Sequence, residues 1–160
     1  MGVGLKLLLG FSFLFFSSNI VLAQDYHEKF IANIEECLTE TPTVIPHDLI
    51  IAQGALESDW GRSRFATEGN ALFGIRTYDL FLPHMKPLER PDANFGVKKY
   101  DSICESVYDY LDLLENSYHY ESFQMVLKVS RNPIVLASTL TKYSENKNYA
   151  NLLTEVINEL

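Results

Sequence analysis

Between Leu49 and Leu56 the only polar residue is Gln53, and this run leads directly into Glu57. A helix that is hydrophobic on nearly every side has no face to turn to water, so other elements must enclose it. Pro46 suits the first turn of such a helix, and Gly61, just past Trp60, suits the position after its C-cap. The sequence therefore predicts a buried helix from about Pro46 to Trp60, with the rest of the chain built around it.

The chain has the material for that enclosure. Of its 160 residues, 47% are apolar and 21% charged, with only 8 Gly and 6 Pro; this is the composition of one ordinary globular domain and excludes low-complexity disorder. Tyr26, Phe30, Ile34 and Leu38 recur every fourth residue and predict a helix over 25–39, broken by Thr41-Pro42-Thr43. Ser102-x-x-Glu105 reads as a capping box opening another helix, with Ile103, Val107, Tyr110, Leu111 and Leu114 on one face. Further helices are predicted at about 121–129, at 133–141 behind an Asn132 cap, and at 149–159. Between Thr77 and Tyr100 the pattern changes. Short β-prone runs at 78–82 and 95–100 flank Pro83, Pro87 and Pro91 and predict a small irregular hairpin lobe. The expected class is mainly α, of the α+β kind: one helical domain carrying a small β-hairpin lobe.

At the N-terminus Lys6 precedes the apolar run 7–16, and Val21-Leu22-Ala23 places small residues at the −3 and −1 positions of a cleavage site. Residues 1–23 are expected to be a signal peptide, removed before Gln24. Ser17-Ser18-Asn19 interrupts the apolar run, which is short for a bilayer span of ~20 residues. The expected product is a single exported domain, 24–160, in the periplasm or cell envelope, with no membrane span once the signal is gone.

Net charge narrows the partners. With 13 Lys plus Arg against 21 Asp plus Glu, the formal charge is −8, and no basic surface is expected that would release counterions from a phosphate backbone, which argues against nucleic acid. Cys37 and Cys104, the only cysteines, stay in the exported part; they are either a disulfide or two small buried hydrophobes. Neither they nor His27, His47, His84 and His119 fall at metal-ligand intervals, so neither metal nor other cofactor is expected.

Among the carboxylates Glu57 holds the oddest place. An apolar helix delivers it to the last turn, where the negative end of the helix dipole disfavours an anion. Desolvation, the dipole and nearby Asp59 all act to raise its pKa, as a general acid for glycosidic cleavage requires. The plain alternative is a glutamate that leaves the helix end into solvent. Gln53, four residues earlier on the same face, is placed to bond Glu57, a bound sugar or a buried backbone group. Trp60, the only tryptophan, suits either stacking on a sugar ring beside the acid or anchoring the helix end in the core.

The run from Ile45 to Ser63, containing Ala52, Glu57-Ser58 and Trp60-Gly61, is followed by Phe65-Ala66 and by Asn70-Ala71-Leu72-Phe73-Gly74. Later come Tyr100-Asp101-Ser102, Tyr118-x-Tyr120, and Tyr143-Ser144-Glu145 with Tyr149. This set resembles the bacterial peptidoglycan endo-β-N-acetylglucosaminidase family, its Bax-type branch above all, from Ile45 to the C-terminus. The resemblance implies a lysozyme-like helical fold with a cleft between a helical and a β-hairpin lobe, and hydrolysis of the β-1,4 bond after N-acetylglucosamine in peptidoglycan glycan strands. Position by position it implies Glu57 as the catalytic acid and Trp60, Asn70, Phe73 and Tyr143 as residues that shape or line the cleft; Gln53 and Tyr149 are taken with them as substrate-binding. Gly54 departs from the family's more usual alanine, at a helix cost of ~1 kcal/mol that only tight packing would excuse. The second catalytic group is expected from the β-lobe, which offers Asp79, Glu89 and Asp92; Glu89 is the choice. The substrate's own 2-acetamido group is the alternative. A lytic transglycosylase and a non-catalytic peptidoglycan-binding protein are the competing functions, the second favoured by a solvent-exposed Glu57 or a collapsed β-lobe.

Overall fold

The structure, a computed structural model, describes the backbone from residue 14 and side chains from residue 25 to the C-terminus. Helix α1 (Leu14–Glu40) begins well before the predicted start at 25, so the predicted cleavage point before Gln24 falls inside it. The expected signal at 1–23 rests largely on residues outside those described. Among the described residues no helix is long and apolar enough to cross a membrane.

The apolar run becomes α2 (His47–Ser58), with Leu49 to Ala55 and Ser58 buried. It lies at the centre of a helical body, in contact with α1, α6 (Pro133–Ala137) and α7 (Tyr149–Glu159). Gly54 is what lets α1 close on it. A Cβ there would stand 3.2 Å from Ile34 Cδ1 and 3.3 Å from the rings of Phe30 and Phe73, so the tight packing that its helix cost demands is present.

Cys37 of α1 is bonded to Cys104 in the first turn of α4 (Ile103–Asn116), with the Cα atoms 5.1 Å apart and a sequence separation of 67. Ser102 caps α4 by accepting from the Glu105 N–H at 3.2 Å. The Glu105 carboxylate, however, takes the N–H of Asp101 at 3.0 Å rather than that of Ser102, so the box is closed one residue early. Asn132 caps α6 as expected, its Oδ1 accepting from the N–H groups of Ile134 and Val135.

Several boundaries differ from the sequence reading. Helix α5 (Glu121–Leu127) and α6 both end early; after α6 the chain continues in tight turns, with the Leu140 N–H on the Ala137 carbonyl and the Tyr143 N–H on that of Leu140. A short α3 (Arg64–Gly69), capped by Ser63, and a 3₁₀ turn (Tyr118–Tyr120) were not predicted.

The β-lobe is a three-stranded antiparallel sheet rather than a hairpin. Strands β1 (Arg76–Thr77), β2 (His84–Met85) and β3 (Gly96–Lys98) lie in the order β1-β3-β2, with Arg76 opposite Val97 and His84 opposite Lys98. The predicted strand at 78–82 is a turn. Thr77 Oγ1 accepts the Asp79 N–H and Asp79 Oδ1 accepts the Phe81 N–H, local bonds that compete with a strand ladder. The lobe is fastened to the body by Asn70 Nδ2, which donates to the Tyr100 carbonyl at 2.9 Å, and by Asp109, which accepts from Lys98 Nζ and from the Tyr100 hydroxyl.

Candidate active site

Helix α2 stops abruptly after Ser58, one residue beyond Glu57. Asp59, Trp60 and Gly61 all have positive φ, at 53°, 54° and 78°, a left-handed turn that is rare for bulky residues and must be held from outside. Ser58 Oγ supplies part of the restraint: it donates to the Gly54 carbonyl and accepts the Gly61 N–H at 2.7 Å. Trp60 supplies more, stacking on His27 at 3.7 Å between ring centroids and meeting Phe30 edge-on at 5.7 Å. The indole therefore packs against α1. It is not among the residues that line the cleft, and the expectation of a sugar-stacking tryptophan gives way to the anchoring alternative.

Glu57 itself opens on a cleft of about 880 Å³ between the body and the β-lobe, lined also by Phe73, Gly74, Arg76, Arg90, Tyr120 and Tyr143. Its side chain is exposed toward that opening, yet the carboxyl is surrounded closely enough by protein that burial raises its pKa above the usual value near 4.5. One hydrogen bond, from the Tyr149 hydroxyl to Oε1 at 2.7 Å, acts in the opposite direction. Exposure of one face of the side chain and desolvation of the carboxyl group thus coexist at Glu57. The β-lobe, although fastened to the body, leaves the cleft open.

Behind Glu57 runs a chain of bonds with a single sense. Tyr110 donates to Gln53 Oε1 at 2.6 Å, Gln53 Nε2 donates to the Tyr149 hydroxyl oxygen at 3.1 Å, and Tyr149 donates to Glu57. Burial and the neighbouring carboxylate raise the pKa of both tyrosines, which therefore stay protonated donors. Gln53 is fully buried, and its amide is taken up at both ends. It forms no hydrogen bond to Glu57 and is not among the residues that line the cleft; its link to Glu57 runs through the Tyr149 hydroxyl.

The other expected residues divide. Phe73 and Tyr143 line the cleft; Phe73 stacks on Tyr110 with centroids 4.0 Å apart, and the Tyr143 hydroxyl donates to the Phe73 carbonyl at 2.8 Å. Tyr149 is buried and stacked parallel to Tyr143, holding Glu57 from behind rather than presenting itself to a ligand. Asn70 adopts φ 51° as the C-cap of α3 and spends its amide on Tyr100; it fastens the lobe and does not line the cleft. Glu89 lies exposed in the connection between β2 and β3 and is likewise not among the lining residues. The cleft carboxylate that accompanies Glu57, among the described residues, is Glu145. Sequence reasoning passed over it although the motif Tyr143-Ser144-Glu145 contained it. It also passed over Arg76 and Arg90, for which no local signal existed.

A helical body that brings a desolvated, hydrogen-bonded carboxyl to the end of its buried central helix, facing a small antiparallel lobe across an open cleft, is the arrangement of a lysozyme-like glycoside hydrolase. The chain belongs to the family described as mannosyl-glycoprotein endo-beta-N-acetylglucosaminidase, which it matches over residues 36–160. It is 27% identical over 128 residues to the peptidoglycan hydrolase FlgJ of Salmonella typhimurium, covering 72% of this chain and 40% of FlgJ. It is 26% identical over 147 residues to the exo-glucosaminidase LytG of Bacillus subtilis, covering 83% of this chain and 51% of LytG. The chain thus spans about half or less of these relatives. Its fold is that of the catalytic domain of the autolysin Auto from Listeria monocytogenes, with a TM-score of 0.65, 23% identity, and coverage of 95% of this chain and 96% of that one.

Proposed function

We propose that this chain is an exported peptidoglycan hydrolase that cleaves the β-1,4 bond after N-acetylglucosamine, with Glu57 as its general acid. The observation that carries the reading is the directed hydrogen-bond chain ending on Glu57 Oε1. Because Oε1 already accepts from Tyr149, the proton of the neutral acid belongs on Oε2. That oxygen faces Gly74, whose missing Cβ would stand 3.8 Å from it in the cleft wall. Oε2 is thus the atom that donates to the glycosidic oxygen as the bond breaks. Burial favours the neutral acid before transfer, and the Tyr149 hydroxyl stabilises the carboxylate formed afterward, a bond that strengthens as charge develops. The name of FlgJ, a peptidoglycan hydrolase, supports peptidoglycan as substrate, and that of LytG, an exo-glucosaminidase, supports cleavage at a glucosamine unit. Export is supported by the pattern of Lys6, the apolar run 7–16 and Val21-Leu22-Ala23, and by a disulfide that suits an oxidising compartment.

For the group that attacks the sugar or activates water, Glu145 and the substrate's own acetamido oxygen have more support than Glu89, since Glu145 lines the cleft and Glu89 does not. The deciding experiment is mass spectrometry of fragments released from purified peptidoglycan by the wild type and by Glu57→Gln, Glu145→Gln and Glu89→Gln. Fragments with reducing N-acetylglucosamine ends support the proposal. Ends of 1,6-anhydro-muramic acid would make the protein a lytic transglycosylase, and no release at all would leave a binding protein.

A further inference from the structure

The β-lobe carries two arginines in an unusual setting. Arg76 Cζ lies 4.7 Å and Arg90 Cζ 5.2 Å from the centroid of one ring, that of Phe95, which is itself buried and has Tyr78 at 6.1 Å. Both arginines line the cleft. Neither forms an ion pair or a side-chain hydrogen bond among the described residues, although Asp79, Glu89 and Asp92 lie in the same lobe and the whole chain carries a net charge of −8. Lys142 adds a third cation to the lining, against Glu145 and Glu57. An acidic protein thus gathers three cations on the wall of this cleft, with no ion pair to any of them among the described residues.

Stacking on an aromatic face uses the plane of a guanidinium and leaves its N–H edges free. Those edges match a carboxylate in bidentate fashion, and holding them on Phe95 beforehand reduces the ordering needed on binding. On the reading that the cleft takes peptidoglycan, the sugar backbone offers hydroxyl and acetamido groups, which are uncharged. Its anionic groups are the carboxylates of the peptide stems, since the lactyl carboxyl that bears each stem is spent in the amide bond to it. We propose that Arg76 and Arg90, seated on Phe95, bind stem-peptide carboxylates and make the cleft select peptide-bearing glycan over uncharged glycan.

The test measures binding, so it does not depend on turnover. Affinities of the full chain, in wild-type and Glu57→Gln backgrounds, are measured for peptide-bearing glycan fragments freed of phosphodiester polymers and for a neutral oligomer of N-acetylglucosamine. The wild type should prefer the anionic fragment, with a preference that weakens as salt rises. Arg76→Gln/Arg90→Gln should lower the anionic-to-neutral affinity ratio by at least about tenfold and flatten its salt dependence, and Arg76→Lys/Arg90→Lys should restore part of it. Should the Gln pair fail to fold, the Lys pair and the wild-type salt series still decide. A ratio near one in the wild type, or one unmoved by the substitutions, overturns the assignment even while fragment release upholds the hydrolase reading. A preference seen only before the phosphodiester polymers are removed would transfer the site to phosphate. A protein that neither binds nor cleaves either glycan would sink the hydrolase reading and this inference together.

Discussion

The two walls of the cleft are built by different means. On the body side, Glu57 is fixed from the interior: three buried side chains from α2, α4 and α7 pass hydrogen bonds in one direction to a single carboxylate oxygen. On the lobe side, strands of two or three residues leave Tyr78, Leu80, Phe81, Leu82 and Leu88 exposed, and the functional groups are arginines resting on a ring. A proton donor has to be placed to within a fraction of an ångström, which buried networks achieve. A charge that attracts a mobile anion tolerates looser support. On the proposed function, the body would fix the chemistry and the lobe would contribute recognition.

Replacing Glu57 by Gln attacks the body's side of that contrast directly and should have the largest effect. The rate of fragment release should fall by ~3 to 6 orders of magnitude, or about 4 to 8 kcal/mol, without loss of folding. The same variant reports on the buried acid. Because the folded pKa lies above the unfolded value near 4.5, the neutral form favours the fold at low pH, and that contribution is lost as pH rises through the folded pKa. Glu57→Gln should therefore gain stability relative to the wild type as pH increases; denaturation at a series of pH values would show it. A variant of unchanged activity would remove Glu57 from the mechanism.

Breaking the Cys37–Cys104 bond loosens the body where the chain re-enters it from the lobe. For a loop of 67 residues the closure term is on the order of 4 kcal/mol, so a Cys37→Ser/Cys104→Ser protein should unfold at markedly lower denaturant concentration. Two titratable thiols in the unfolded, unreduced wild type would contradict the bond.

Trp60→Ala tests whether the turn after Glu57 is held by α1. Truncating a core tryptophan costs ~3 to 5 kcal/mol, and since Trp60 is only partly buried a loss of roughly 2 to 4 kcal/mol is expected. A stable variant with weakened glycan binding would return the indole to the cleft.

Tyr149→Phe removes one hydroxyl, leaves Gln53 Nε2 unpaired at a cost of about 1 to 3 kcal/mol, and removes the bond that lowers the Glu57 pKa. The alkaline limb of kcat/KM, where the acid deprotonates, should move to higher pH. Movement to lower pH, or none, would mean that Tyr149 does not hold the acid. Last, Glu89→Gln on the lobe should change the rate of fragment release by less than about threefold; a loss comparable to that of Glu57→Gln would show that the lobe supplies chemistry as well as charge.

Local sequence determined the parts whose causes are local. A run with Gln53 as its one polar side chain made α2 a central helix and placed Glu57 near its end, and Ser102 and Asn132 marked their helices because a cap acts within three residues. Helix α7 begins and ends where periodicity placed it. The lobe was legible only as a break in helical pattern. Its strands exist through pairing with β3, and the local turn chemistry of Thr77 and Asp79 overrode the β-prone run at 78–82. What the tertiary structure alone decided is which partner each polar group meets. Tyr110 and Gln53 are 57 residues apart, Gln53 and Tyr149 are 96 apart, and Tyr149 and Glu57 are 92 apart. Periodicity and capping report on neighbours along the chain, whereas a buried amide takes whichever donor and acceptor the packing of other helices delivers, and for that reason Gln53 read as a sugar contact until the fold placed it behind the acid.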